Sequence, residues 1–366
     1  MEDKVGIIIL NWIGWKDTIE CLESIFRIDY SNYQVIVVDN NSPNNSMEHI
    51  KAWAEGNQEV LTPEPLHPLY HLSHPPVQKP IPYIEYDRKS AEAGGLPERE
   101  KLLYDKLPKH IPHPMILIET GENLGFAGGN NVGIKYILAK GDFKFIWLLN
   151  NDTVVKKDSL FNLLKDTDSE NYVLGCIVCR YHEPDIIQTV GGGKFNKFLL
   201  TSKDVFSNKS LYEIVPFLNN LLATVRVDYI SGAALLVSLQ YIQQVGLLDD
   251  RFFLYYEELD WQMRGRKYGF EPRIVPTSII YHKGGASIGS SSNCFKKSPE
   301  SEYFSNRSAI MFALKHYGFP GVIYIIMRFF AKLLYFAKCG KRSLIKSLFK
   351  SYIDSLSSSS RIKHGS

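Results

Sequence analysis

Several apolar runs in this chain end on the same kind of residue, and that pattern limits the fold more than any other feature. VGIIILN (5–11) stops on Asn11, QVIVVDNNS (34–42) on Asp39-Asn40-Asn41-Ser42, and FKFIWLLNNDTVV (143–155) breaks at Asn150-Asn151-Asp152. A short run with no polar alternation suits a strand buried on both faces, the condition of a parallel sheet covered by helices. A helical pattern, Asp17 to Phe26, separates the first two runs. Strand, helix and strand in so short a span make a right-handed βαβ unit. Further strands are expected at MILIE (115–119), at 172–179, within VRVDYISGAALLVS (225–238) and at IIYH (279–282), with helices between. The fold class is therefore α/β, a mainly parallel sheet with flanking helices. In such sheets ligands gather at the C-terminal ends of the strands, where the polar residues sit.

Composition confines the chain to the globular class. Of 366 residues, 45% are hydrophobic and 22% charged, which excludes a disordered or fibrous chain. The length suits one large domain with appendages, or two domains. Net charge is only +3, but residues 321–366 carry nine Lys and Arg against the single acid Asp354, leaving −5 on the rest. The N-terminus, MEDKVGIIILNW, has no basic stretch before an apolar one, so no signal peptide is expected. Five cysteines, with Cys176 and Cys179 inside a strand-like run, fit core packing in a reducing cytoplasm rather than a zinc site.

Residues 57–115 hold eleven of the eighteen prolines and five of the ten histidines. They read as an extended excursion without regular helix or central strand. His67, His71 and His74 there fit a solvated or partner-contacting loop better than a metal site.

Four segments carry chemistry. Asp152, at the end of a buried strand and flanked by amides, suits a divalent cation with phosphate oxygens, or else caps a helix near Asp158. GENLGFAGGNN (121–131) is glycine-rich without being a dinucleotide fingerprint or a P-loop. The helix it opens, expected from near Gly128, either aims N–H groups at a ligand or merely makes a tight turn. In RFFLYYEELDWQMRGRKYGF (251–270), Glu257, Glu258 and Asp260 follow a wall of aromatics, a setting that raises carboxyl pKa values toward general-base use. Arg264 and Arg266 lie one turn on, placed to pair with these acids or a phosphate. His282 ends its strand as a structural residue, or as a ligand if Asp152 holds a metal.

In order and spacing, ILNWIGWKDTIECLESI, VVDNNSPNNS, ENLGFAGGNNVGI, WLLNNDTVV, ISGAALLVS, GLLDDRFFLYYEELDWQMRGRKYGF, YHKGGAS and YFSNRSAIMFALKHYG resemble the inverting family-two glycosyltransferases of the GT-A fold, especially their rhamnosyltransferase-like branch. That resemblance implies a nucleotide-binding half followed by an acceptor-binding half within residues 1–318. It implies Mg²⁺ or Mn²⁺ held by Asp152 and His282, with Glu258 as catalytic base. Asn11, Asp39, Asn123, Gly125, Asn130, Asn150 and Asn151 fall on the donor side. Tyr256, Glu257, Asp260, Trp261 and Arg264 fall on the acceptor side. The implied substrates are a nucleotide-diphosphate sugar (dTDP-rhamnose or a UDP-sugar) and a lipid-linked or polysaccharide acceptor. Asn150 stands where the family has the first Asp of its DxD motif, a Glu replaces the commoner Asp as base, and residues 57–115 lengthen the usual gap. A sugar-phosphate nucleotidyltransferase and a catalytically silent glycan-binding subunit are the alternatives.

The tail, 319–353, has no uncharged stretch of about 20 residues and is expected not to span a bilayer. Arg328, Lys332, Arg342, Lys346 and Lys350 fall within a helical arc of about 80°, the rest being mostly apolar. This fits a helix, or a pair broken at Gly340, lying peripherally on an anionic membrane at its cytoplasmic face, rather than on nucleic acid. Docking on the body or on the partner of a homodimer is the other reading. Residues 354–366 read as disordered.

Overall fold

A computed structural model describes residues 2–109, 111–165, 169–217, 226–284, 295 and 297–362. The strands in chain order are β1 (Val5–Asn11), β2 (Tyr33–Asp39), β3 (Tyr83–Asp87), β4 (Met115–Glu119), β5 (Phe145–Asn150), β6 (Thr153–Val155) and β7 (Tyr172–Arg180). They continue with β8 (Ile187–Val190), β9 (Gly192–Asn196), β10 (Thr201–Asp204), β11 (Tyr229–Ile230), β12 (Ala234–Ser238) and β13 (Glu271–His282). The helices are α1 (Trp15–Ile25), α2 (Ser46–Glu55), α3 (Arg88–Glu92), α4 (Pro97–Tyr104), α5 (Gly125–Lys140) and α6 (Ser159–Leu164). After them come α7 (Leu211–Ile214), α8 (Leu239–Val245), α9 (Glu257–Arg266), α10 (Pro299–Tyr317), α11 (Phe319–Lys338) and α12 (Arg342–Ile362).

The main sheet runs β3-β4-β2-β1-β5-β12-β7-β13-β6, with β8 beside β7. The first five of these strands are mutually parallel, as is the β7–β13 pair, while β12 lies antiparallel between β5 and β7. This is the mainly parallel α/β sheet expected. Its central strands, β1, β2, β5 and β12, are almost wholly apolar and buried because both faces are covered. Ile7, Ile9, Val35, Val37 and Trp147 enter one core, while Ile8, Ile36, Val38, Ile146 and Leu148 enter the other. Cys176 and Cys179 also point to opposite faces, each in a separate apolar cluster, and burial pushes both thiols up to about 12. Cys294 lies outside the described residues.

The segment 57–115 is more regular than its prolines suggested. It adds β3 as an edge strand parallel to β4, then α3 and α4. The prolines spare these elements: 83–96 contains none, and Pro97 starts α4 where no N–H partner is needed. The segment is tied down by buried Glu23 of α1, which accepts from Trp53 Nε1 (2.8 Å), Lys79 Nζ (2.7 Å) and the Val77 N–H (2.7 Å). His67 stacks on Tyr181 and His74 on Tyr70.

The tail is two helices with Gly340 at the break, where φ is +67°. Three observations bear on the expectations for it. Helix α12 continues to Ile362, so 354–362 is helical, and 363–366 lie outside the described residues. Helix α11 is long and apolar enough to cross a membrane by length and composition, with mean hydropathy 1.5. Its cations Arg328 and Lys332 turn toward the body instead of outward, because Asn306 and Glu302 of α10 bind them.

Replacing Glu23 would take this acceptor from Trp53, Lys79, Arg27 and the Val77 N–H and free the anchor of the 57–82 segment. Glu23→Ala should lower unfolding free energy by about 3 kcal/mol in urea titration, with proteolytic cleavage appearing first within that segment.

Candidate functional site

At the C-terminal ends of β1, β2 and β5 the structure builds a cleft of about 380 Å³. Beneath it sits Asn11, 0% exposed, with its amide fully used. Asn11 Nδ2 donates to Asp39 Oδ1 (2.6 Å) and Ser42 Oγ (3.3 Å), and its oxygen accepts from Thr18 Oγ1 (2.9 Å) and Asn151 Nδ2 (3.3 Å). Asp39 also accepts from the Ser42 N–H (2.9 Å) and hydroxyl (2.7 Å). Neither Asn11 nor Asp39 lines the cleft: both form its foundation. Asn40, the next residue, does line it and ties the loop after β2 to residues 123–125. Its amide donates to Asn123 Oδ1 (2.9 Å) and the Gly125 carbonyl (3.0 Å), and its oxygen accepts from the Leu124 N–H (3.0 Å).

Asn123 and Gly125 line the cleft, and α5 starts at Gly125 rather than near Gly128. Gly125 has φ +70°, and a Cβ there would meet the Phe253 carbonyl at 2.2 Å. Two of the helix's opening N–H groups are already taken, Gly125 by Asn123 Oδ1 and Phe126 by the Phe253 carbonyl. This end of α5 is therefore first a packing device. Asn130 donates to the Phe126 carbonyl within the helix and stays out of the cleft.

Asn150, Asn151 and Asp152 form one wall. Asp152 precedes β6 and caps no helix, so the capping reading falls away; Asp158 holds the position before α6. Antiparallel pairing of β13 with β6 sets His282 opposite Thr153, and the Lys283 N–H donates to the Asp152 carbonyl (3.0 Å). The ladder thus places His282 Nε2 3.1 Å from Asp152 Oδ1. Lys283 pins the strand end to α1 through Asp17 and Glu20, each at 2.6 Å. Burial would lower the His282 pKa, but the charge and hydrogen bond of Asp152 together with the Asp204 charge outweigh it and raise it; burial would raise Asp152, but the charge and hydrogen bond of His282, with backbone N–H groups, hold it below the usual range.

This pair fits one side of a divalent-cation site. Gln188 Oε1 lies 3.1 Å from His282 Nδ1, so a proton on Nδ1 directs the Nε2 lone pair at the Asp152 carboxylate. An imidazole lone pair facing a carboxylate needs a proton or a metal between them. Among the described residues no third His, Cys, Asp or Glu joins them. Two protein donors suit a cation whose other positions are filled by phosphate oxygens and water.

The opposite wall is the start of α9. Tyr255 and Tyr256 both take the left-handed conformation (φ +68° and +70°), a strained turn that aims the next two side chains into the cleft. Glu257 is 5% exposed, and one oxygen of Glu257 and one of Glu258 are buried without a hydrogen-bond partner. Burial, then the charge of Glu258, raises the Glu257 carboxyl well above its ordinary value. Burial also raises Glu258, with the Asp204 charge adding to it. Four acceptor-side candidates face elsewhere. The Tyr256 hydroxyl donates to the Leu200 carbonyl and its ring packs on Phe312. Asp260 is buried against Lys315 (2.6 Å), His316 (2.7 Å) and Arg264 (3.0 Å). Arg264 also caps α8 through the Val245 and Leu247 carbonyls, and Trp261 packs on Tyr241 and donates to the Gly246 carbonyl. Helical periodicity explains the split: the first two residues of α9 border the cleft, and the next turn faces the core.

Trp12, Ser231, Gly232, Glu300 and Phe304 line the cleft without having been singled out from the sequence, beside Phe253 of the aromatic wall that precedes the acids. Ser231 and Gly232 arrive because β12 runs antiparallel beside β5, so its entry turn meets the exits of the parallel strands. They belong to the ISGAALLVS block, and Phe304 to YFSNRS, so the signal lay in segments whose individual residues had no obvious chemistry.

Asn11→Ala should cost about 2–3 kcal/mol of stability, since it strands Thr18, Asp39 and Asn151 together. The check is chemical denaturation, with Asn130→Ala, which removes one local bond, as the milder control.

A family model described as glycosyl transferase family 2 matches residues 5–63 and 101–228, just over half of the chain. The low-salt glycan biosynthesis hexosyltransferase Agl10 of Haloferax volcanii is 29% identical over 150 residues, 41% of this chain and 46% of its own length. The rhamnosyltransferase WbbL of Escherichia coli is 25% identical over 174 residues (44% and 62%), and the dTDP-rhamnosyl transferase RfbF of Shigella flexneri 26% over 211 residues (55% and 64%). The chain thus spans between about half and just under two thirds of the curated relatives it matches. Among solved structures, the mannosyltransferase PcManGT of Pyrobaculum calidifontis, in complex with GDP-Man and Mn²⁺, is similar over 98% of this chain and 76% of that one, at 12% identity and TM-score 0.49. GalNAc-T7, with UDP, GalNAc and Mn²⁺, is similar over 86% of this chain and 50% of that one, at 13% identity and TM-score 0.49. With its strand-end asparagines, its Asn150-Asn151-Asp152 turn and more than half its length matched, the chain belongs to glycosyl transferase family 2.

Proposed function

We propose that this protein is a metal-dependent inverting glycosyltransferase that moves a sugar from a nucleotide-diphosphate sugar to a hydroxyl of a lipid-linked or polysaccharide acceptor. The observation that carries the reading is the two-walled cleft: Asp152 beside His282 on one wall, and Glu257 and Glu258 with unpartnered buried oxygens on the other. The family membership and the two rhamnosyltransferase relatives favour dTDP-rhamnose, with a UDP-sugar as the other donor class.

Asp152 and His282 would hold Mg²⁺ or Mn²⁺, which when bound neutralises charge on the departing diphosphate. Asn150 and Asn151 keep that wall in place, Asn151 through Thr18 and Asn11. Asn123, Asn40 and Gly125 shape the donor side. Across the cleft, Glu258 takes the proton of the acceptor hydroxyl as its oxygen bonds to the anomeric carbon. The bond from that carbon to the diphosphate oxygen breaks, a nucleoside diphosphate leaves, and the configuration inverts. Glu257, buried and repelled by its neighbour, stays protonated more readily and can donate a hydrogen bond to the acceptor.

Glu258→Gln should lower kcat by about 10²–10⁴ while donor binding persists, measured by transfer and by nucleotide-sugar titration. Full turnover in that variant would remove the base assignment. A base with a raised pKa holds its proton to higher pH. Activity should therefore fall as pH drops through a value above the usual glutamate range of about 4.3, and the Gln variant should lack that limb. Chelation should abolish transfer, with Mn²⁺ restoring it. Asp152→Ala should bind Mn²⁺ with a nucleoside diphosphate at least about tenfold more weakly by calorimetry.

A further inference from the structure

Arg328 and Lys332 of α11 face the protein while an apolar side of the helix faces out, the reverse of an ordinary docked helix. Arg328 is 2% exposed. Its Nε donates to Asn306 Oδ1 (3.1 Å), one terminal nitrogen to the Leu199 and Leu200 carbonyls, and the other to Ser305 Oγ (3.2 Å). Lys332, one turn on, bonds Glu302 Oε1 at 2.5 Å. Opposite them, Phe319, Ile323, Ile326, Phe330 and Leu334 are exposed, Phe330 by 56% and Leu334 by 71%. At 100° per residue these five fall within an arc of about 80°, centred roughly 160–180° from Arg328 and Lys332. The strip runs about 22 Å along the helix. A contiguous strip of this kind on a soluble surface marks something that covers it.

Charge around the strip indicates what that is. From residue 321 onward Asp354 is the sole acid, and the Tyr303 hydroxyl bonds it. The strip ends at exposed Lys338, and the turn into α12 brings Lys341 and exposed Arg342, followed by exposed Lys346. An apolar strip closed by cations, with no competing acid, matches the boundary between acyl chains and anionic headgroups. A spanning helix is a different arrangement. It would have to pull Arg328 and Lys332 off α10 and leave buried Glu302 and Asn306 without them.

We propose that the outward face of α11 is an interfacial membrane-binding surface: Phe319, Ile323, Ile326, Phe330 and Leu334 enter the headgroup–acyl boundary of an anionic bilayer while Arg328 and Lys332 stay locked to the body. The inference rests on the packing of the tail and not on the reaction proposed for the cleft.

Flotation of the full chain with vesicles tests it, using phosphatidylcholine alone and phosphatidylcholine mixed with phosphatidylglycerol. The wild type should bind the anionic vesicles more tightly. Ile323→Glu with Phe330→Glu, both exposed and so leaving thermal unfolding unchanged, should weaken binding to both compositions by at least about tenfold. Lys338→Gln with Arg342→Gln and Lys346→Gln should lose only the preference for anionic vesicles. Absence of wild-type binding, or equal binding by the Ile323/Phe330 variant, would overturn the proposal. So would a concentration-dependent dimer in sedimentation that the same variant dissolves, since a second copy would then cover the strip.

Discussion

The buried amide of Asn11 joins parts of the chain that have no other reason to meet. It receives β1's exit, accepts from Thr18 on α1, donates to Asp39 at the end of β2, and accepts from Asn151 in the turn after β5. A carboxylate here alone would repel Asp39, and an apolar residue would leave three polar groups dry; an amide both donates and accepts, so it satisfies all of them. The position of Asn151 then sets that of Asp152. From there the β6–β13 ladder carries the geometry to His282. A candidate cation site assembled from residues 130 positions apart thus depends on one buried polar network at the C-terminal ends of the sheet's central strands.

The opposite wall follows a different logic. Strain at Tyr255 and Tyr256 turns the chain sharply, and α9 is then held from behind. Asp260 is gripped by Lys315, His316 and Arg264, while Arg264 reaches on to the end of α8. Burial alone would raise the Asp260 carboxyl, but His316, Lys315 and Arg264 outweigh it and keep it below the usual range. One short acidic helix therefore carries carboxylates of opposite character. Glu257 and Glu258 face the cleft without cationic partners and titrate high; Asp260, one turn deeper, is saturated with cations and serves as an anchor.

Legibility in the sequence tracked how far a residue's role is set by its own neighbours. Ile7 to Ile9 or Trp147 to Leu149 could be read as two-sided strands because each needs only apolar flanks, and the polar strand ends followed from sheet topology. Asp260, Trp261 and Arg264 could not be told from Glu257 and Glu258 by type, since only the packing of α8 and α10 decides which side of α9 faces the cleft. Proline density misled for 83–104 because composition averages over a stretch whose ordered elements sit between the prolines. The tail shows the limit most clearly. A helical wheel places Arg328 and Lys332 on one face but says nothing of which face meets the protein; that was decided by Glu302 and Asn306 on another helix.

Helix α10 makes the tail and the cleft one mechanical unit. Glu300 and Phe304 border the cleft, and Ser301 Oγ lies 2.8 Å from the Tyr255 hydroxyl at the strained turn before the glutamates. Glu302 and Asn306, between and just beyond those residues, hold Lys332 and Arg328 of α11. A second link runs through the Leu200 carbonyl, which accepts from both Arg328 and the Tyr256 hydroxyl. A force that shifted α11 against the body would have to break buried charge-assisted bonds or move the wall that carries Glu257 and Glu258. Because those bonds are largely buried, the second path is a concerted displacement of α10. The inward turn of Arg328 and Lys332 thus does more than free an apolar face for another surface: it fixes the orientation of that face relative to the cleft.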